Sequence, residues 1–391
     1  MEDYKALFEA IEGGDAGLVS KLIQANPGAS RARHQNGVSS VLWALYYGQP
    51  VIAGLLAEGR SDLDIFEAAA LGHVDRLATL LNENPENANA WAVDGFQPLG
   101  LACFFAQPTA SRLLLEAGAK IDSPSRNRSA VMPLHSAVAA GQLEIARILL
   151  RRGAPVNARQ AQEFTPLHAA AQNGQLDMVN LLLVYGADVN VTATNGKSPL
   201  DLALEGNHKE VGEQLKQAAI AHRVILRPYN PLWPVQFRQE AARLLPLFEP
   251  LLGTIYHIGS TSVPGLLAKP TIDILIEVTD IFKVDALNAA MADLGYEARG
   301  EYGIPGRRFF ICIERGLRQF HVHTYGTGNP EIQRHVGFRD YLVRHPEFAK
   351  RYADLKEELA LRFVLDRVAY TENKSSFIHE VDRLAAEEGN S

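Results

Sequence analysis

The stretch from residue 256 to residue 278 holds residue types that suit metal and phosphate chemistry. It combines a Gly-Ser turn, a run of hydroxyl residues and a β-branched segment that carries two acids. Side chains alternate between the two faces of a strand, so Asp273, Leu275 and Glu277 are predicted to share the solvent face. Backbone N–H groups and hydroxyls at such a turn suit phosphate oxygens, and hard divalent cations take oxygen ligands. The stretch therefore predicts a site where a divalent metal and a phosphate bind together.

The length and composition of the chain indicate two globular domains. The chain has 391 residues, of which 47% are apolar and 21% are charged, and this is long for a single core. Two cysteines, Cys103 and Cys312, fit a reducing compartment, so a cytoplasmic location is expected. The N-terminus lacks the layout of a signal peptide. No apolar run approaches the roughly 18 residues of a membrane helix, so no membrane partner is expected.

Charge is shared unevenly between the two halves of the chain. Residues 1–221 hold 17 Lys+Arg and 23 Asp+Glu, a net of −6, while residues 222–391 hold 21 and 22, a net of −1. A net-acidic chain is a poor candidate for nonspecific binding to nucleic acid. The second half carries 16 Arg and 5 Lys, and the planar guanidinium suits phosphate recognition. This composition is consistent with nucleotide chemistry.

The first half is a repeat array. A small-residue core followed by glycine recurs at spacings of 34, 24, 34, 35, 33 and 33, with starts at Leu7, Val41, Ile65, Leu99, Leu134, Leu167 and Leu200. The clearest unit runs from Thr165-Pro-Leu-His-Ala-Ala-Ala-Gln-Asn-Gly174 to Gly186-Ala-Asp-Val-Asn190. This unit resembles the ankyrin repeat. The resemblance implies an α solenoid of about six to seven repeats over residues 1–221, whose usual work is to bind a protein partner.

Two histidines in the array invite interpretation as metal ligands. His135 and His168 both fall on the histidine position of the repeat itself. At that position a hydrogen bond between adjacent turns is expected. We therefore predict a structural role for both residues.

Helical periodicity stops near residue 221, and strand-like and helical segments alternate from residue 222 to residue 391. Strands are predicted around Asp273, at 307–313 and at 318–325. Helices are predicted at about 284–294, at 330–343, from 346 to about 366, and at 371–386. This alternation is typical of a small α/β domain.

The second half resembles the GrpB-like family, whose fold is that of the nucleotidyltransferase superfamily. The resemblance is carried by His257-Ile-Gly-Ser-Thr-Ser-Val-Pro-Gly-Leu266, Ala268-Lys-Pro-Thr-Ile-Asp273 and His321-Val-His323, among other segments. It implies that residues 222–391 form an α/β (α+β) nucleotidyltransferase-like domain. Such a domain uses divalent metals and ATP or another nucleoside triphosphate.

The sequence departs from the nucleotidyltransferase pattern at the metal ligands. Asp273 fills the first acidic place, but Leu275 stands at the second, and His321 and His323 stand where a third acid is expected. One interpretation is an altered metal site of Asp273, His321 and His323, extended by Glu277. Imidazole ligands would then favour Mn, Fe or Zn over Mg alone. Two other interpretations stay open: one metal with a histidine as acid–base, or ordinary strand histidines.

Two further groups of residues are assigned to this predicted site. Asp273, His321 and His323 are the predicted catalytic residues. The predicted nucleotide-binding residues are Gly259, Ser260, Thr261, Ser262, Lys269 and Arg308. Tyr370 and Lys374 match a late Tyr…Lys pattern of the family and are expected to close the site.

Three functions compete on these observations. The first is a metal- and nucleotide-dependent transferase whose ankyrin repeats recruit a protein partner or substrate. The second is a noncatalytic scaffold with a degenerate nucleotide-sensing site, which the missing carboxylates favour. The third is an ATP-dependent ligase that works through an acyl-adenylate.

Overall fold

The computed structural model describes residues 4–220, 224–314, 317–364 and 366–389. The chain divides into two compact units, Met1–Leu183 with Ala187–Ile220, and Val184–Gly186 with Ala221–Ser391. Among the described residues, no helix has both the length and the apolar character needed to cross a membrane.

Fourteen α-helices lie within residues 4–220, and they follow one another as pairs of a first and a second helix. They are α1 (Lys5–Glu12), α2 (Ala16–Ala25), α3 (Ser40–Tyr46), α4 (Pro50–Ala57), α5 (Ile65–Leu71), α6 (Val74–Glu83), α7 (Pro98–Phe104), α8 (Pro108–Glu116), α9 (Pro133–Ala139), α10 (Leu143–Arg151), α11 (Pro166–Gln172), α12 (Leu176–Val184), α13 (Pro199–Glu205) and α14 (Lys209–Ile220). Each predicted repeat start lies within the first helix of a pair. Proline opens several first helices, where a missing N–H costs nothing.

The repeat histidines take the structural role predicted for them. His168 Nδ1 lies 2.8 Å from Thr165 Oγ1, and its Nε2 lies 3.1 Å from the carbonyl oxygen of Lys197 in the next turn. His135 Nε2 lies 3.3 Å from the carbonyl oxygen of Phe164. Burial lowers the pKa of His135 to about 4, so the ring is neutral near pH 7. The hydrogen bonds of these two rings connect adjacent repeats.

The second unit contains a five-stranded mixed sheet with the order β1-β2-β5-β4-β3. Its strands are β1 (Leu252–Ile258), β2 (Ile272–Val278), β3 (Tyr296–Ala298), β4 (Arg307–Glu314) and β5 (Leu317–Gly326). Its α-helices are α15 (Trp233–Phe248), α16 (Asn288–Asp293), α17 (Pro330–Arg344), α18 (Pro346–Arg362), α19 (Arg367–Glu372) and α20 (Ser375–Gly389). β2 and β5 are parallel, and the other neighbouring strands are antiparallel.

The element boundaries predicted from the sequence need two corrections. The helix predicted near 284–294 is a 3₁₀ segment, Ile281–Leu287, followed by the short α16. The helix predicted from 371 to 386 is instead two helices, because α19 ends at Glu372 and α20 begins at Ser375. Asp366 caps the first of them and accepts hydrogen bonds from two backbone N–H groups.

Both faces of the interior strand β2 are covered. The isoleucines of β2, including Ile274 and Ile276, pack in the main core, as predicted. The opposite face is predicted to meet solvent, and this is wrong at Leu275, whereas Asp273 and Glu277 are partly exposed. Leu275 is fully buried in a smaller cluster with Ile332 of α17. Alternation along one strand determines which residues share a face, but it cannot show that a distant helix covers that face.

Candidate metal and phosphate site

The parallel pairing of β2 with β5 brings the predicted metal ligands together. Asp273 lies opposite His321 in the register, and Leu275 lies opposite His323. Asp273 Oδ1 is 3.0 Å from His321 Nδ1 and 3.7 Å from His323 Nε2. One ligand atom from each of the three residues lies within 4.8 Å of those of the other two. Among the described residues, this is the one group of at least three His, Cys, Asp or Glu side chains with such spacing.

The protonation states of Asp273 and His323 favour the binding of a cation. Burial by itself would raise the pKa of the Asp273 carboxyl. The hydrogen bond from His321 and the nearby His323 outweigh that effect and lower the pKa. Burial lowers the pKa of His323 despite the neighbouring carboxylate. An ionised carboxylate and a neutral imidazole are the forms that bind metals.

Two ring nitrogens of the cluster have no hydrogen-bond partner among the described residues. The ring nitrogens other than the two that lie near Asp273, namely His321 Nε2 and His323 Nδ1, are buried and make no hydrogen bond within the described part of the chain. Buried polar atoms are normally paired, so an unpaired set at one place needs an explanation. Two imidazoles and one carboxylate form a donor set known to hold Fe, Mn or Zn. The residues therefore fit a divalent metal.

The Gly-Ser turn lies directly against Asp273. Gly259 has φ +72°, a conformation that glycine adopts readily, and a Cβ at this position would overlap the Asp273 carboxylate. The turn is held by its own side chains. Ser262 Oγ donates to the carbonyl oxygen of Gly259 at 2.5 Å, and Thr261 Oγ1 lies 3.1 Å from His257 Nε2. The hydroxyls of Thr261 and Ser262, which are predicted to bind phosphate, thus already form hydrogen bonds within the protein.

One buried lysine donates a hydrogen bond to the remaining hydroxyl of the turn, and two further lysines act on that lysine electrostatically. Lys356 of α18 is 2% exposed, and its Nζ donates to Ser260 Oγ at 3.0 Å and to the carbonyl oxygen of Leu267. Lys269 Nζ and Lys374 Nζ lie 5.4 and 4.8 Å from the ring centroid of Tyr370. Burial lowers the pKa of Lys356, and the charges of Lys374 and Lys269 lower it further. The structure therefore brings the predicted Lys269 and Lys374 to the Ser260 side of the turn.

Two predicted site residues do not join the cluster. Arg308 lies in register with Thr324, on the opposite face of the sheet from Asp273, and it forms two hydrogen bonds with Asp285 at 2.6 and 2.9 Å. Glu277 shares the face of Asp273 but lies four residues along the strand, about 13 Å at strand spacing. It is absent from the ligand group, and its Oε2 lies 3.5 Å from the hydroxyl of Tyr256. The structure therefore does not bring Arg308 or Glu277 to the Asp273 cluster, where the sequence predicts a phosphate ligand and a metal ligand.

Several residues near the site have no role predicted from the sequence. A lysine inside a helical pattern, such as Lys356, gives no sign that it is buried. His335 of α17 lies near His323, with ring centroids 5.6 Å apart, and burial lowers its pKa to about 3. Phe309 of β4 contacts both cluster histidines, at centroid distances of 5.3 and 4.8 Å. The β4–β5 register places Phe309 there, and nothing in the sequence predicts how these two strands pair.

Comparison with known proteins finds a family match for the second half of the chain and ankyrin repeat matches that begin at residue 65. The GrpB protein family profile matches residues 223–383, and the ankyrin repeat profile matches residues 65–160 and 134–223. UPF0157 protein YqkA of Bacillus subtilis is 44% identical over 159 residues, which are 40% of this chain and 46% of that protein. The chain thus spans about half the length of this relative.

Two shorter relatives are matched over nearly their whole length. Glutamate-rich protein GrpB of Alkalihalophilus pseudofirmus is 30% identical over 162 residues, which are 40% of this chain and 93% of that protein. A crystal structure of GrpB from Enterococcus faecalis shares 39% identity and covers 43% of this chain and 100% of its own, with a TM-score of 0.41. Because this chain covers 93% of the Alkalihalophilus protein at 30% identity, it belongs to the GrpB family, and its GrpB segment is joined to a segment of ankyrin repeats.

Proposed function

We propose that residues 222–391 form a metal-dependent nucleotidyltransferase domain that acts on a nucleoside triphosphate, and that the ankyrin repeats of residues 1–221 recruit its protein partner or substrate. The observation that carries the proposal is the Asp273, His321 and His323 cluster, set against the Gly259–Ser260 turn. A turn of small residues followed by an acidic strand is the arrangement that the nucleotidyltransferase resemblance implies. A mixed sheet with β2 as an interior strand is consistent with that fold.

The residues of the cluster have distinct roles in this proposal. Asp273 and the two histidines hold a divalent metal. The imidazoles favour Mn, Fe or Zn, and Mg is the alternative that the carboxylate could hold. Bound there, such a metal supplies positive charge to phosphate oxygens. Gly259 allows the chain to pass close to Asp273, so phosphate oxygens can approach both the turn and the carboxylate.

The proposed reaction needs only a nucleoside triphosphate and an acceptor hydroxyl. An acceptor hydroxyl attacks the α-phosphorus of the nucleoside triphosphate, and a new P–O bond forms. The bond from the α-phosphorus to the bridging oxygen of the β-phosphate breaks, so pyrophosphate leaves with that electron pair. The proton of the acceptor hydroxyl passes to water. In this proposal, the lysines near Ser260 offset the negative charge of the leaving phosphates.

One observation favours a second, noncatalytic function. Leu275 stands where the second acid of a two-metal site is expected, and it is fully buried against Ile258 and Ile332. A site with a single carboxylate would bind a nucleotide and one metal without transferring the nucleotidyl group. In that case the domain senses a nucleotide and the ankyrin repeats transmit its occupancy to a partner.

A binding and turnover experiment on the full chain tests the proposal. Mn²⁺ binding is followed by electron paramagnetic resonance, and pyrophosphate release from ATP, CTP, GTP and UTP is followed with Mn²⁺ or Mg²⁺ present. We expect metal-dependent nucleotide binding in the wild type and its loss in Asp273→Asn. Binding without pyrophosphate release for any nucleotide, in the presence of candidate hydroxyl acceptors, would favour the sensor. Absence of both metal and nucleotide binding would overturn both functions.

A further inference from the structure

Three of the five lysines in residues 222–391 converge on one place beside the Gly-Ser turn. Lys269 follows the turn, Lys356 lies on α18, and Lys374 lies between α19 and α20. The other two, Lys283 and Lys350, have side chains that are 69% and 77% exposed, and each pairs with an acid three or four residues away. Because like charges repel, convergence of three lysines from distant parts of the chain is costly unless an anion joins them.

The aromatic ring of Tyr370 lies between two of these lysines. Lys374 Nζ is 4.8 Å and Lys269 Nζ is 5.4 Å from the ring centroid. The tyrosine is fully buried, and its hydroxyl makes no hydrogen bond to any described residue. Burial raises the pKa of Tyr370, so the hydroxyl keeps its proton and can donate it to an acceptor. The cluster therefore contains a buried donor without an acceptor.

Among the described residues, no carboxylate forms an ion pair with any of the three lysines. Neither Lys269 nor Lys374 makes a hydrogen bond or an ion pair with its side-chain nitrogen within the described residues. Lys356 is bonded only to uncharged oxygens, those of Ser260 and Leu267. Burial, together with the positive charges of Lys374 and Arg367, lowers the pKa of Lys269 to about 7. Asp273 is the one acid that offsets these charges at Lys269.

We propose that Lys269, Lys356, Lys374 and Tyr370 form a polyphosphate site that holds the two terminal phosphates of a nucleoside triphosphate and binds pyrophosphate without a metal. A pyrophosphate group carries enough charge and enough acceptor oxygens for three ammonium groups and one phenol. Lys269 and Lys374 are partly exposed while Lys356 is buried, so the site is open on one side and an anion can enter. The role of this site in catalysis rests on the proposed transferase, but its affinity for pyrophosphate does not.

Calorimetric titration of the full chain with sodium pyrophosphate at pH 7, in the presence of EDTA, tests the site. We expect Lys374→Met to weaken binding at least about tenfold, which corresponds to about 1.4 kcal/mol. Tyr370→Phe, which removes a single oxygen, is expected to weaken binding severalfold. Lys283→Met is the matched control, because it removes an exposed lysine of the same domain, and it should bind as the wild type does. AMP, which lacks a diphosphate, is expected not to compete.

The Asp273→Asn variant separates this site from the metal-dependent function. The four residues of the proposed site do not include Asp273, so the variant should still bind pyrophosphate without a metal, although the carboxylate that raises the pKa of Lys269 is gone. Metal-dependent nucleotide binding should be lost in the same protein. The polyphosphate site is overturned if the wild type does not bind millimolar pyrophosphate without metal. It is also overturned if Lys374→Met and Lys283→Met behave alike, or if Asp273→Asn abolishes pyrophosphate binding. Circular dichroism confirms that each variant is folded.

Discussion

Gly259 and Asp273 are so close that a Cβ built on Gly259 would overlap Asp273 Oδ2 and lie 3.1 Å from Asp273 Cγ. The turn before the acid and the acid itself are therefore one unit. A side chain at 259 would displace the carboxylate from the two histidines that it contacts.

Gly259→Ala is expected to remove metal binding and to destabilise the domain. The backbone of Gly259, at φ +72° and ψ −173°, lies in a region that is essentially restricted to glycine and costs another residue about 1–3 kcal/mol, and the overlap with Asp273 adds to this. Gly265→Ala is the control, because Gly265 has φ +76° but no heavy atom lies within 4 Å of the position that a Cβ would take there. Urea unfolding and Mn²⁺ titration of both variants check the prediction. Equal loss of metal binding in the two variants would contradict the role of the close approach.

His323→Gln and Glu277→Gln are expected to differ in metal affinity. His323 lies within the ligand group, whereas Glu277 lies outside it on the same face. Loss of one of three protein ligands should lower Mn²⁺ affinity by at least about tenfold, since losing even an outer partner of a ligand costs roughly 10- to 100-fold. Glu277→Gln should leave Mn²⁺ affinity unchanged. Reduced affinity in Glu277→Gln would show that the fourth predicted ligand contributes after all.

Arg308→Met is expected to leave both metal and pyrophosphate binding unchanged. The guanidinium of Arg308 pairs with Asp285 on the face of the sheet opposite to Asp273, and the Asp285 side chain is 52% exposed. A pair of this kind contributes about 0–1 kcal/mol to stability, so the urea midpoint should fall only slightly. Weaker pyrophosphate binding in Arg308→Met would place this arginine at the phosphate site and contradict the register.

The stability of the domain is expected to rise between pH 7 and pH 10. The pKa of Lys269 is lowered to about 7 by burial and by Lys374 and Arg367, while a lysine in the unfolded chain titrates near roughly 10.4. Between these values the unfolded chain binds more protons than the folded chain, so the free energy of unfolding increases with pH. Stabilisation by pyrophosphate should fall as the pH rises through about 7, because Lys269 of the folded protein loses its charge there.

Urea unfolding at a series of pH values measures this effect, with and without pyrophosphate. Lys269→Met should flatten the pH dependence of the unfolding midpoint in the absence of ligand. Identical slopes in the wild type and in Lys269→Met would mean that Lys269 titrates normally in the folded protein.

His168→Ala is expected to destabilise the ankyrin repeats without changing metal affinity. The ring bridges Thr165 and the carbonyl of Lys197, and unpaired buried groups left behind cost about 1–3 kcal/mol each. Urea unfolding followed by circular dichroism measures the loss, and Mn²⁺ titration measures the site in the other unit. An unchanged midpoint would show that the inter-repeat hydrogen bonds are replaced by water.

Local patterns in the sequence are enough to predict the two-part organisation and to identify Asp273, His321 and His323 as candidate ligands. The spacing of the repeats predicts helix pairs. It also assigns His168 correctly, because the role of this residue depends on contacts within a few residues and with the next repeat. The sequence places Asp273 on the strand face opposite to the isoleucines of the core, because alternation along a strand is a local property. The same local pattern places His321 and His323 on one face.

Which of the predicted residues meet depends on tertiary contacts. Strand pairing determines which face of β4 lies toward Asp273, and it turns Arg308 away while it brings Phe309 to the histidines. The packing of α18 and the break between α19 and α20 bring Lys356 and Lys374 to the turn. Lys356 and Ser260 are 96 positions apart, and no periodicity along the chain encodes a contact of that range. A buried lysine and a surface lysine look the same in a sequence, and only the fold distinguishes them.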